Sequence, residues 1–216
     1  MAADRINSPP RVWQRMLSGR RLNLLDPSPL DIEITDIAQG LARVARWNGQ
    51  TQGTHAFSVA QHCVLVEHIA KLLVPELEAR WCLAILLHDA PEYVIGDMIS
   101  PFKNVMGGNY KVVETALHHA IHRAFGLPHS LPNKIDRLAK RADIISAYFE
   151  ATLLAGFDEN EAKQLFGAPK ELSAIQQEEM KGLFISQSTV DAQRAFLNRF
   201  HALAACSTSD KITNEI

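Results

Sequence analysis

Cys82-Leu83-Ala84-Ile85-Leu86-Leu87-His88-Asp89-Ala90-Pro91-Glu92 is the stretch on which the fold turns. Its apolar half reads as part of a helix from Glu76 to about Val94, entered after Pro75 and stopped by Gly96. A helix apolar on nearly every side belongs at the centre of a helical bundle, because no face is left for water. Its polar half then brings an imidazole and a carboxylate into the core. Buried ionisable groups are costly unless they are paired, hydrogen-bonded or bound to metal.

Outward from this segment the period stays helical. Ile34, Ile37, Leu41, Val44 and Ala45 mark an amphipathic helix over roughly 33–47. Val59, Cys63, Val66, Ile69, Ala70 and Leu73 mark another from Ser58, a capping residue, to Val74. Further helices are expected at about 109–125 and 132–155, and two or three more over 158–205. No strand pattern carries weight, so the expected class is all-α, with about five core helices and added C-terminal helices. The expected division is a loose arm and turn-rich lead-in over 1–32, a core over 33–155, C-terminal helices over 156–206 packed on it, and a frayed polar tail over 207–216. Exposed leucine and phenylalanine in the C-terminal helices can serve a homodimer face or pack over the core.

The chain has 216 residues, 47% hydrophobic and 21% charged, enough for one domain to bury a core without disulfides. Its formal net charge of −2 lacks the basic footprint of a nucleic-acid-polymer or membrane-surface binder. Cys63, Cys82 and Cys206 show no CxxC spacing, which fits a reducing, cytoplasmic setting. The N-terminal MAADRINSPP has no apolar segment of a signal peptide, and the run Cys82 to Leu87 is too short to span a membrane.

Histidine, with nine copies, is the informative residue. His62 falls on the buried side of its helix, in line with Val59, Val66 and Ile69. Asp143 borders the buried stripe Ile135, Leu138, Ala142, Ile145 and Phe149. Taken singly, each has an ordinary reading: a core histidine satisfied by a carboxylate, or a surface aspartate paired with Lys140. Together, imidazole and carboxylate entering one core from three helices suit a divalent metal. Glu114, His118 and His122 form a competing set at four-residue spacing. His119 follows His118 where H-E-x-x-H needs glutamate, so that set reads as a partly exposed helix face. His68, His129 and His201 are assigned to the surface.

The order His62, His88-Asp89, Asp143 resembles the H…HD…D signature of the HD-domain metal-dependent phosphohydrolases. The run His88-Asp89-Ala90-Pro91-Glu92, Gly96-Asp97 and Pro101-Phe102-Lys103, with Arg46-Trp47 ahead of the first histidine, resembles the branch of YfbR-type 5'-deoxynucleotidases. The resemblance covers roughly residues 33–150. It implies one divalent ion (Mn, Co, Fe, Zn or Mg) held by His62, His88, Asp89 and Asp143. It implies hydrolysis of a (deoxy)nucleoside 5'-monophosphate by water activated on that ion, with Glu92 and Asp97 as catalytic groups. Arg46, Trp47, Asp97 and Lys103 would contact the substrate, and His55, in a glycine-containing loop, would approach it. Nucleoside triphosphates, signalling nucleotides and a non-catalytic metal-containing binding module stay open as alternatives.

Overall fold

A computed structural model of the chain describes residues 11–98 and 108–213. It is all-α apart from one small hairpin. The helices are α1 (Ile34–Leu41), α2 (Val59–Leu73), α3 (Ala79–Leu86), α4 (Glu92–Ile95), α5 (Gly108–Ala124), α6 (Asn133–Leu153), α7 (Glu159–Phe166), α8 (Ala174–Lys181) and α9 (Thr189–Thr213). Helix α2 lies between α6 and α3, and α9 crosses α1, α2 and α3. Ser58 caps α2 by accepting the Gln61 N–H. The all-round apolar segment Leu83–Leu87 is fully buried or nearly so, as its composition demands. Phe196, Phe200 and Leu203 of α9 are buried on this core. No described helix is long and apolar enough to cross a membrane.

Three departures from the sequence expectation shape the site. The helix expected over 76–94 ends at Leu86 and resumes only at Glu92. Between them His88 donates to the Ile85 carbonyl, Ala90 to Leu87 and Glu92 to Asp89, successive three-residue steps that tighten the chain out of α-geometry. Pro91, without an N–H, sits where the second helix starts. The expected helix over 33–47 likewise ends at Leu41. Residues 44–46 instead run extended beside 57–59, with Arg46 N–H donating to Phe57 and Val59 N–H to Val44. A 3-10 turn then follows over Arg46–Gly49, in which Trp47 and Asn48 take φ of 56° and 51°, a left-handed conformation that is costly for a bulky side chain. Finally, Trp13–Arg15 and Arg21–Asn23 pair as an antiparallel hairpin inside the segment expected to be a lead-in, and Ser18 in its turn donates to buried Asp36 of α1. At the other terminus α9 continues through Thr213, beyond residue 206 where the tail was expected.

Two contacts set helix positions close to the site. Gly40 of α1 packs so tightly on α4 that a Cβ there would stand 2.7 Å from both the Cβ and the carbonyl oxygen of Tyr93. Arg199 of α9 grips buried Glu67 of α2 with both ends of its guanidinium, at 2.7 and 2.6 Å.

Candidate active site

His62 on α2, His88 and Asp89 in the turn after α3, and Asp143 on α6 converge. His62 Nε2 lies 3.4 Å from Asp89 Oδ2 and 3.3 Å from Asp143 Oδ1, and His88 Nε2 lies 3.4 Å from Asp89 Oδ2. Ligand atoms of His62, His88 and Asp143 all fall within 4.8 Å of one another. The two Nε2 atoms are buried and make no hydrogen bond. Each ring is instead fixed from behind: His88 Nδ1 donates to the Ile85 carbonyl at 2.8 Å, and His62 Nδ1 donates to Glu150 at 2.6 Å. With Nδ1 donating, each ring when neutral would carry its lone pair on Nε2, on the side of the carboxylates, the arrangement in which imidazole ligates a metal. The residues present therefore fit a divalent ion, and His62, His88 and Asp143 could hold it, with Asp89 against both imidazoles.

Charge follows from this crowding. Burial disfavours the charged form of both histidines, and Arg46 also works against His62. Glu150, Asp143 and Asp89 outweigh these at His62, and Asp89 does so at His88, so both are held well above the usual imidazole value. Burial likewise opposes ionisation of Asp89, yet His88 and His62 hold its carboxyl well below the usual range. Glu150 is the member that sequence reasoning missed. It is fully buried, and accepts from Trp47 Nε1 at 2.8 Å, Arg46 Nε at 3.2 Å and Ser146 Oγ at 2.9 Å besides His62. Burial would raise its pKa, but Arg46 and His62 bring it far down. Its one sequence signal is position: it follows Asp143 by seven and Ser146 by four, on the same helix face.

A cavity of about 230 Å³ opens against His88, Asp89 and Glu92, with Glu114, Thr115 and His118 of α5 on another wall. Glu92, 3% exposed, is thus brought to the same space as His88. The reason differs from the one a continuous helix would supply, since the chain turns between them. A family model described as 5'-deoxynucleotidase YfbR-like matches residues 35–189. The chain belongs to this family. It is also 52% identical over 194 residues to an uncharacterized protein of Rhodobacter capsulatus, covering 89% of this chain and 96% of that one.

The YfbR-like family is an HD-domain hydrolase family, so the H…HD…D order read from the sequence and the all-α class agree with it. Around the centre of this YfbR-like chain, Arg46 bridges Glu150 and Asp97, reaching Asp97 at 3.3 Å. Burial would lower its pKa, but Glu150 and Asp97 raise it above the ordinary arginine value, so it stays charged. The ring of Trp47 packs on Phe157 and Phe166, at centroid distances of 5.7 and 6.1 Å, which puts it in the support of Glu150. His55 is exposed and lines a separate surface hollow with Ala45 and Ser58. Lys103 lies outside the described residues. On the helix face expected to be partly exposed, Glu114 and His118 are half-buried, as expected, and His118 lines the cavity; His122 departs, being fully buried with its Nδ1 donating to the Pro128 carbonyl at 2.8 Å.

Proposed function

We propose that the protein hydrolyses the phosphate ester of a nucleoside or deoxynucleoside 5'-monophosphate to nucleoside and inorganic phosphate. The observation that carries the reading is the convergence of two buried imidazole Nε2 atoms and two aspartates beside a cavity that also holds Glu92. A divalent ion held by His62, His88, Asp89 and Asp143 would neutralise phosphoryl charge and acidify a water at neutral pH. The chain supplies the rest. Glu92 orients the attacking water and takes its proton. Asp97 and Arg46, hydrogen-bonded to each other, sit beside this centre. Arg46 keeps its charge there and adds positive potential against the oxygens of the transferring group, where most of the catalysis of phosphoryl transfer resides. The YfbR-like membership supports the 5'-monophosphate class.

The test is phosphate release from a panel of ribo- and deoxyribonucleoside mono-, di- and triphosphates with added Mn, Co or Mg. The expected result is turnover of 5'-monophosphates. Glu92→Ala should keep the metal and lose about a hundredfold or more in kcat, the usual scale of one positioned acid–base group. Turnover of triphosphates alone, or full activity in Glu92→Ala, would sink the respective assignment.

A further inference from the structure

Helix α5 supplies a wall of the cavity that the family motif does not include. Glu114, Thr115 and His118 share one helical face, and all three line the space against His88, Asp89 and Glu92. We propose that His118 is a substrate-binding residue, its ring N–H donating a hydrogen bond to the phosphoryl group. This rests on the monophosphate reading above and names a contact of that same site.

The cavity is rich in negative charge. Asp89, Glu92 and Glu114 all line it, so a phosphate dianion placed there meets three carboxylates. Neutral or cationic donors on the remaining walls are needed to hold the anion beside them. His118 is a lining side chain of that kind. Burial, then the neighbouring His122 and His119, push its imidazole down to about 3, so the ring is neutral and carries one N–H at working pH. Its position is also held. The His118 ring rests on that of His122 at a centroid distance of 4.0 Å, and His122 is itself fully buried and tied to the Pro128 carbonyl. A donor backed by a fixed ring loses little freedom when it binds, which is the requirement for precise placement of a substrate. Among the described residues the metal-competent cluster is His62, His88 and Asp143, and His118 is not a member.

The experiment measures affinity of the Mn-loaded chain for inorganic phosphate by calorimetry, together with metal content, melting temperature and the kcat and KM for a 5'-monophosphate. His118→Ala should weaken phosphate binding and raise KM by about tenfold or more, the scale of a hydrogen bond to a charged group. Metal content should stay at the wild-type level. His118→Asn, which keeps an N–H donor, should recover part of the loss; it also serves if the alanine variant folds poorly. Unchanged phosphate affinity in both variants overturns the proposal, as does loss of metal in step with loss of His118, which would make the residue a ligand. A wild-type chain that binds phosphate yet cleaves no monophosphate would defeat the reaction assignment alone, with His118 still judged by phosphate affinity. A wild-type chain that does not bind phosphate would defeat both.

Discussion

Glu150 holds His62, Arg46, Trp47 and Ser146 on its two carboxylate oxygens from inside the core. It therefore directs the His62 Nδ1 proton, and it compensates the charge of a half-buried arginine. Removing it leaves that arginine with Asp97 alone and strips His62, Trp47 and Ser146 of their acceptor; breaking a buried pair costs about 3–5 kcal/mol. Glu150→Ala should lose stability on that scale in urea denaturation. Glu150→Gln, which keeps the shape and part of the hydrogen bonding, should fold better but bind the metal about 10–100-fold more weakly, the usual effect of altering a ligand's orienting partner. Metal titration of the Gln variant checks this; wild-type affinity would show that His62 is oriented without the carboxylate. His62, His88, Asp89 and Asp143 were legible because each stands where a helical stripe or a polar break in an apolar run exposes it. Glu150 was not, because a lone glutamate on a mixed helix has no motif. Its importance arises from Arg46 and Trp47, more than a hundred residues away in sequence.

The interruption between α3 and α4 is what aims His88, Asp89 and Glu92 at one space. Continuous helix would have carried Asp89 round the axis by 100° per residue, away from His88. The hydrophobic period predicted the helix over Ala79–Leu86 and overran both its ends, because the period reports which residues are apolar and not which carbonyl each N–H selects. The short α4 is held by α1 through Gly40, where backbone meets Tyr93 without room for a methyl group. Gly40→Ala must push α4, and with it Glu92, away from α1. Overpacking at such a contact costs about 1–3 kcal/mol. The expected outcome is that loss in denaturation midpoint, with a fall in kcat and nearly unchanged metal affinity, since neither histidine is on α4. A variant with normal kcat would show that Glu92 keeps its place without this contact. The same limit applies at α5, where an apolar stripe alone put His118 and His122 at the margin: His118 stays half-buried there, while the packing of the 108–124 helix buries His122 completely.

At the scale of the molecule, metal binding would be coupled to folding, because the proposed ligands come from α2, the turn after α3, and α6. Added Mn should raise the melting temperature by about 5–10 °C at a hundredfold excess over Kd. Its pH dependence has a definite sign. His62 and His88 are raised above 6.5, so in the ion-free chain their pairing with carboxylates is fully present below that value and fades as pH rises through the raised values. Ion binding needs both imidazoles deprotonated, and so runs the other way. The gain in melting temperature from Mn should therefore be larger at about pH 8 than at about pH 6; equal gains would show that the histidines release no protons on binding. Glu150, depressed below 4.5, contributes stability above that value that is lost only as pH falls through its much lower folded value. Composition and periodicity suffice for the helical class, the central apolar helix and the four groups proposed to hold the metal, because periodicity and burial cost are local properties of the chain. Tertiary structure alone decided the support of His62 by Glu150, the bridge of Arg46 to Asp97 and the turn of His118 into the cavity. Those depend on which faces of distant helices meet, and a one-dimensional pattern does not carry that distance.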